Sequence, residues 1–99
     1  MIAVKIHKSR RNIVAICDSD LLGKKFEEGI AQLDIRENFF KEKLVTPQEA
    51  LQIMKREARE DSSFNIIGKE SIKLAKQAKI INEQGIAYIQ NIPYALVLL

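Results

Sequence analysis

The chain has 99 residues, 46% of them hydrophobic and 29% charged, which predicts one globular domain over residues 1–99 and excludes a disordered or collagen-like chain. With a single cysteine, Cys17, and a single histidine, His7, the chain has neither a disulfide framework nor most kinds of zinc site. The lack of a long apolar run or a signal-peptide pattern predicts a cytoplasmic protein with no membrane partner. The net charge of +3 permits contact with nucleic acid but does not require it.

The amino-terminal residues predict a β-hairpin with a basic tip. Apolar residues alternate with other side chains over residues 2–7, the pattern of a half-buried strand. Residues 12–17 (NIVAIC) are a continuous apolar run, which is typical of a strand covered on both faces. The connecting loop carries three basic residues: Lys8, Arg10 and Arg11.

Residues 18–45 are predicted to form a short helix, a strand and a connection. Acidic residues at 18 and 20, followed by apolar residues, predict a short helix over 18–28 that ends at Gly29. Residues 30–35 alternate imperfectly and predict a strand. Residues 36–45 are predicted to be a charged connection with at least one of two adjacent phenylalanines buried.

Thr46, Pro47 and Glu49 mark the clearest helix start in the chain. Thr46 is a helix cap, Pro47 occupies the first helical position, and Glu49 completes a capping box. We therefore expect a helix from this point to about residue 61. Residues 64–67 predict either a short strand or the lead-in to a further helix over 69–79, whose small apolar residues would allow close packing on a sheet.

The carboxyl-terminal residues predict a turn over 82–85 and two strands, 86–89 and 94–99. The last five residues are all apolar, which is typical either of a strand buried on both faces or of an exposed edge that pairs with a partner. Strands and helices mix without a regular βαβ alternation. The sequence therefore predicts an α+β domain with a mostly antiparallel or mixed sheet, an N-terminal hairpin and about three helices.

The residues that could carry out chemistry do not form a recognisable catalytic or metal-binding motif. The strand alternation places Cys17 on the face of Val4 and Ile6 and His7 on the opposite face, so we interpret Cys17 as a core residue. Paired acids such as Asp18 and Asp20 can hold magnesium, but at a helix start they are usually caps. We expect no catalytic residue, no metal site and no cofactor.

Basic residues are the most informative polar feature. On a helical wheel, Lys69, Lys73 and Lys76 fall on one face of the predicted helix, and the hairpin loop supplies a second basic group. Either group is typical of a solvated face, and both would support phosphate contacts if they shared one surface. The six aromatic residues show no RNA-recognition pattern.

Several segments in succession resemble a known family. They are the hairpin that ends in Cys17-Asp18, residues 21–29 (LLGKKFEEG), residues 65–70 (NIIGKE) and residues 89–95 (IQNIPYA). Together they resemble the archaeal family catalogued as domain of unknown function four-twenty-four, over nearly the whole chain. The family pattern has Pro-His near the C-terminus where this chain has Pro93-Tyr94, which argues against an obligatory histidine there.

The resemblance implies a cytosolic archaeal protein associated with translation, as an accessory of initiation factor two. We expect a non-enzymatic module, monomeric or weakly dimeric, that binds a translation factor subunit, the ribosome or RNA through a basic surface. That surface comprises Lys8, Arg10, Arg11, Lys69, Lys73 and Lys76.

Two alternatives belong to other classes of protein. One is an enzyme or binding protein for a phosphorylated or nucleotide ligand, with the helix start at Gly68 holding the phosphate and Asp18 or Asp20 as acid, base or metal ligand. The other is a structural homodimer that pairs through residues 97–99.

Overall fold

The computed structural model describes residues 1–98, which form eight strands, three helices and two short 3₁₀ turns. The strands are β1 (Ile2–His7), β2 (Ile13–Asp18), β3 (Lys25–Glu28), β4 (Ala31–Asp34), β5 (Lys43–Val45), β6 (Ser63–Ile67), β7 (Ala87–Ile89) and β8 (Ile92–Val97). The helices are α1 (Glu37–Phe40), α2 (Pro47–Arg59) and α3 (Lys69–Gln77), and the 3₁₀ turns are Ser19–Leu21 and Glu83–Gly85.

Six of the strands form one mixed sheet in the order β5-β1-β2-β6-β8-β7, and β3 pairs with β4 in a separate hairpin. All neighbours in the large sheet are antiparallel except β2 and β6. This parallel pair runs from Ile13 opposite Ser63 to Cys17 opposite Ile67. The predicted α+β class, mixed sheet and N-terminal hairpin are confirmed.

The sheet is covered on both faces. Helices α2 and α3 pack on one face, over a core that includes Val14, Ile16 and Phe64. The β3–β4 hairpin and α1 cover part of the other face, over a core that includes Ala15 and Cys17. Successive residues of β2 therefore enter different cores because strand side chains alternate between faces. This confirms the interpretation of residues 12–17 as a strand buried on both sides.

The predicted helix over 18–28 is wrong: it is replaced by a 3₁₀ turn and strand β3. Gly23 has a φ of +80°, which a right-handed helix cannot contain, and its N–H donates to the carbonyl of Ile35 at 2.7 Å. Gly29, with a φ of +62°, lies in the two-residue turn between β3 and β4 instead of ending a helix. The predicted connection over 36–45 contains α1 and β5, with Phe40 buried.

The capping signal at Thr46 is confirmed. Thr46 Oγ1 accepts a hydrogen bond from the N–H of Glu49 at 3.1 Å, and the N–H of Thr46 donates to Glu49 Oε1 at 3.1 Å. Helix α2 thus begins as the capping box predicts. Of the two possibilities for residues 64–67, the structure has the strand, β6, followed by α3.

The last strand is interior along its first half and an edge along its second half. β8 lies between β6 and β7, but β7 pairs with it only from Ile92 to Tyr94. Beyond that point Leu96 is 60% exposed, whereas Ala95 on the opposite face is buried. The predicted end of this strand, Leu99, lies outside the described residues.

Candidate nucleic-acid interface

Helix α3 presents three lysines on its outer face. Ile72, Leu74 and Ala75 are buried beneath the helix, which leaves positions 69, 73 and 76 facing outward. Residues at this spacing lie next to one another on a helix surface. The three lysines that the helical wheel groups together are thus on one side of the molecule.

These lysines line a groove between α3 and the β7–β8 hairpin. The groove has a volume of about 270 Å³, with Lys69, Lys73 and Lys76 along the helix side and Tyr88 and Asn91 on the hairpin side. Three apolar residues complete its lining: Ile72, Ile86 and Pro93. The ring of Tyr88 is accessible, since the residue is 58% exposed. The groove therefore combines positive charge with an open aromatic side chain.

The hairpin side of the groove is held in place by an unusual turn. Gln90 and Asn91 both have positive φ, 50° and 65°, the backbone of the tight two-residue turns that suit hairpins. The N–H of Gln90 donates to Glu28 Oε1 at 2.8 Å, and Gln90 Nε2 donates to the carbonyl of Glu27 at 2.6 Å. These contacts fasten the turn to the β3–β4 hairpin, so Asn91 is positioned before any ligand arrives.

The three lysines differ in their partners. Lys76 Nζ pairs with Glu83 Oε1 at 2.5 Å. Among the ion pairs between residues 1–98, none includes Lys69 or Lys73. An anion in the groove would therefore meet two uncompensated ammonium groups and a third whose charge is partly neutralised.

The second predicted basic group lies elsewhere. Lys8, Arg10 and Arg11 are exposed in the β1–β2 loop, at the end of the sheet where Asn12 contacts Ser63. Helix α3 begins at the other end, beside Asp18, about 16 Å along β2 for a strand of this length. The loop residues are not part of the groove lining, so the six basic residues do not meet in one groove.

The start of α3 is already filled by an anion from the chain itself. Asp18 Oδ2 accepts from the N–H of Glu70 at 3.1 Å, and Asp18 Oδ1 accepts from the N–H and Oγ of Ser71 at 2.8 and 2.7 Å. The carboxylate occupies the place that the phosphate-ligand alternative requires at Gly68. Asp18 is thus a cap for α3, supplied by a strand about 50 residues earlier.

Cys17 and His7 both make packing contacts within the domain. Cys17 is fully buried, and its burial, together with the nearby charges of Asp18 and Asp20, raises the pKa of its thiol to about 12, so it is not a thiolate nucleophile at neutral pH. It lies opposite Ala3, on the face away from Val4 and Ile6, which corrects the predicted face. His7 Nε2 donates to the carbonyl of Phe39 at 2.9 Å, and its ring stacks on that of Phe39.

Metal-ligating side chains are not clustered in the part of the chain that the structure describes. Residues 1–98 contain no group of three or more histidine, cysteine, aspartate or glutamate side chains that could hold a metal ion. No helix in this range is long and apolar enough to cross a membrane.

Tyr88 and Asn91 are the groove residues that the sequence did not point to. Ile86, whose backbone is extended just before β7, and Tyr88 of β7 are two residues apart, and this spacing places them on the same face. This spacing is the one sequence signal that groups two residues of the hairpin side of the groove. It does not show which helix that face of the strand contacts.

The protein is therefore a three-layer α+β domain with a basic groove. Its fold is similar to that in the crystal structure of an uncharacterized conserved protein from Methanopyrus kandleri, with a TM-score of 0.85 over 97% of this chain and 89% of that one, at 22% identity. The model of the family described as protein of unknown function (DUF424) matches residues 7–99. The chain belongs to that family. No curated protein matches this chain.

Proposed function

We propose that this protein is a non-enzymatic accessory module of the archaeal translation apparatus. It binds single-stranded RNA of a ribonucleoprotein through the groove between α3 and the β7–β8 hairpin. The observation that supports this proposal is the meeting of Lys69, Lys73 and Lys76 with the exposed ring of Tyr88 in one groove. The connection with translation, and the cytoplasmic location that goes with it, come from the family resemblance.

The groove has the two elements that sequence-tolerant binding of single strands requires. Ammonium groups along one wall neutralise phosphates, and an aromatic face stacks on an unpaired base. Duplex RNA hides its base faces, so it could use the lysines but not Tyr88. Asn91, whose amide both donates and accepts hydrogen bonds, lies beside the same groove and would contact the edge of a stacked base.

The basic loop has a separate part in this proposal. Lys8, Arg10 and Arg11 are outside the groove, so their charges act at a distance by attracting RNA toward the protein. Such steering raises the association rate and weakens as salt increases. Removing these charges is therefore expected to slow association with less effect on dissociation.

Joint reversal of the three groove lysines, in K69E/K73E/K76E, is expected to weaken binding of a fluorescein-labelled twenty-nucleotide oligouridine at least tenfold. Fluorescence anisotropy at several salt concentrations measures the effect. Loss of three phosphate contacts on a single strand also makes the plot of log affinity against log salt shallower, by about 2 in slope. The thermal midpoint should fall only slightly, because these side chains are exposed and the pair of Lys76 with Glu83 that the variant loses lies at the surface.

Two matched comparisons separate stacking from charge. Tyr88→Ala keeps the net charge and is expected to weaken oligouridine binding about tenfold, whereas Tyr88→Phe retains the ring and the affinity. Reversal of Lys8, Arg10 and Arg11 changes the charge as much as the groove variant and is expected to cost less. Equal losses from the two reversals, or no loss in Tyr88→Ala, would show that the groove is not the RNA site.

The link to translation needs a separate test with the whole protein. The tagged chain is used to capture partners from an archaeal lysate, with and without ribonuclease. Ribosomal components that disappear on ribonuclease treatment would support the proposal. Initiation-factor subunits retained after that treatment would replace RNA with a protein as the direct target, and recovery of no translation component would overturn the link.

A further inference from the structure

Lys79, just beyond the end of α3, has a backbone conformation that lysine rarely adopts. Its φ is +62°, in the left-handed region where glycine is less strained. The N–H of Lys79 donates to the carbonyl of Lys76 at 3.0 Å, and the N–H of Ile80 donates to the carbonyl of Ala75 at 3.0 Å. These two bonds form a Schellman motif, which usually has glycine at the position of Lys79. The stability of the helix end therefore favours glycine at this position, and the lysine side chain needs another explanation.

Lys79 lines a groove between the carboxyl-terminal parts of α2 and α3, the α2–α3 groove, with a volume of about 480 Å³. The other residues of its lining are Lys55, Ala58, Arg59, Gln77 and Ala78. Its three cations are exposed, and none of them belongs to an ion pair between residues 1–98. None of the described residues that line this groove is acidic. The α2–α3 groove is therefore positively charged and uncompensated.

The three cations repel one another because they line one groove without partners. Lys55 and Arg59 are one turn apart on α2, and like charges at this spacing destabilise a helix. The helix dipoles favour cations near the ends of α2 and α3, but they do not account for a strained backbone at residue 79. Phosphates bound in the α2–α3 groove would relieve the repulsion and give Lys79 a function.

A connecting groove joins the α2–α3 groove to the groove that contains Tyr88. It lies between the end of α3 and residues 96–98, with a volume of about 590 Å³. Lys76 lines both the connecting groove and the Tyr88 groove, and Lys79 lines both the connecting groove and the α2–α3 groove. The path from the start of α3 to Lys79 is about 15 Å long, at 1.5 Å per residue. Because Lys76 is paired with Glu83, Lys79 is the first uncompensated cation beyond the Tyr88 groove.

We propose that an RNA strand bound beside Tyr88 continues round the end of α3 into the α2–α3 groove, where the three cations bind its phosphates. This inference rests on the proposed function and extends the RNA site to a second helix. No aromatic residue is among the described residues that line the α2–α3 groove, so this groove holds the sugar–phosphate backbone and does not select bases. The length of the strand, and not its sequence, thus determines whether the second groove is used.

A single strand fits this path better than a duplex does. A nucleic-acid duplex is stiff over distances far longer than the path, and it cannot turn round the end of one helix. A single strand is flexible and carries a phosphate at every nucleotide, so it meets cations in both grooves. An acidic protein segment would also meet these cations, and the experiments below distinguish it from RNA.

The test compares fluorescein-labelled oligouridines of four and twelve nucleotides, titrated by fluorescence anisotropy. The shorter strand is close to the lower limit of single-strand sites, about 4 nucleotides, and occupies the Tyr88 groove, where stacking is available. K55Q/R59Q removes two cations of the α2–α3 groove. It should weaken binding of the twelve-nucleotide strand at least fivefold and binding of the four-nucleotide strand less than twofold.

K24Q/K25Q is the matched control for K55Q/R59Q. It removes the same charge from two exposed residues at the start of β3, which belongs to the hairpin on the other face of the sheet. Because these residues line neither groove, binding of both strands should weaken less than twofold. Circular dichroism confirms that each variant is folded.

Lys79→Gly gives a readout that a purely structural lysine would not give. Relief of the left-handed strain should raise the midpoint of urea denaturation, while loss of the charge should weaken binding of the twelve-nucleotide strand about threefold. Lys79→Arg keeps both the charge and the strain and should change neither property. A gain in stability without loss of binding would contradict the role of Lys79 in holding RNA.

The outcomes separate this inference from the proposed function. Binding of the twelve-nucleotide strand that depends on Tyr88 but not on Lys55 and Arg59 would overturn the inference and leave the proposed function intact. Equal losses for the two strands in K55Q/R59Q, or losses as large in K24Q/K25Q, would show that the charges act at a distance. Twelve-residue polyglutamate that binds as tightly as the RNA, and loses affinity in K55Q/R59Q, would assign the α2–α3 groove to an acidic protein segment. Failure of the unmodified protein to bind either strand would overturn both proposals.

Discussion

Replacing Gly68 with alanine is expected to lower the free energy of unfolding by about 3 kcal/mol, as strain of the backbone adds to loss of a cap. Gly68 has a φ of +115°, which alanine adopts only with strain. A Cβ at this position would also lie 2.4 Å from Cγ of Asp18. The carboxylate would have to leave the N–H groups of Glu70 and Ser71. Urea denaturation measures the change.

Two other glycines provide matched controls for Gly68→Ala. Gly85→Ala meets no atom within 4 Å, and Gly85 lacks a positive φ, so a change below about 0.5 kcal/mol is expected. Gly29→Ala meets no atom either, but its φ of +62° should cost about 1 kcal/mol. The three variants thus separate strain of the backbone from the collision with Asp18.

A double-mutant cycle tests the collision itself. Asp18→Ala removes the cap and should cost about 1–2 kcal/mol. In that background Gly68→Ala no longer displaces a carboxylate, so it should cost clearly less than it does alone. Equal costs in the two backgrounds would contradict the contact between Asp18 and the start of α3.

The second large effect is expected at Glu57, a buried carboxylate in the last turns of α2. Only 6% of this residue is exposed, and burial by itself raises the pKa of the carboxyl. Hydrogen bonds from Ser62, at 2.8 Å, and from Asn12 and Arg56 outweigh that effect and hold the pKa of Glu57 below its ordinary value. The carboxylate therefore connects α2 to the residues around the start of β2 and β6.

Glu57→Gln is expected to lower the free energy of unfolding at pH 7 by about 2 kcal/mol, because neutral hydrogen bonds of the amide replace the stronger charge-assisted bonds of the buried carboxylate. A pKa that is lower in the folded state means that the charged form stabilises the fold above the ordinary carboxyl pKa of 4.5. This contribution is lost as the pH falls below 4.5 toward the lowered pKa. The difference between the two proteins should therefore be largest at neutral pH and shrink in acid.

Urea denaturation between pH 3 and pH 7 measures this dependence. Glu60→Gln is the matched control, since it removes an exposed carboxylate one turn further on and should change stability by less than about 0.5 kcal/mol. A difference between the unmodified protein and Glu57→Gln that stays constant across the whole pH range would contradict the role assigned to the Glu57 charge.

The elements that the sequence predicts well are those with signals contained in a few adjacent residues. The capping box at Thr46 and the alternation of residues 2–7 are local signals, and both the helix and the strand appear where expected. The alternation, however, predicts a half-buried strand, and β1 is instead buried on both faces from Ile2 to Val4 because the sheet is covered on both sides.

The helix predicted over 18–28 is wrong because the conformation of this segment depends on distant pairing, whereas the strand predicted over 30–35 is present as β4. The sequence pattern allows Gly23 within a helix, but in the structure its N–H donates to the carbonyl of Ile35.

The same distinction applies to the candidate site. Helical periodicity places Lys69, Lys73 and Lys76 on one face, and the structure has them there. The contribution of Tyr88 comes from another element, whose position depends on the order of strands in the sheet. The filling of the α3 start by Asp18 likewise depends on the parallel pairing of β2 with β6, which no local pattern reveals.

The parallel pair at the centre of the sheet also has a kinetic consequence. The hairpins β1–β2 and β7–β8 join neighbours in the chain, whereas β2 and β6 are separated by two helices and three strands. Closing so long a loop is entropically expensive, and contacts of this kind slow folding. Pairing of β2 with β6 is therefore expected to limit the folding rate. Variants that weaken this junction should slow folding as well as speed unfolding, which stopped-flow measurements in urea would show.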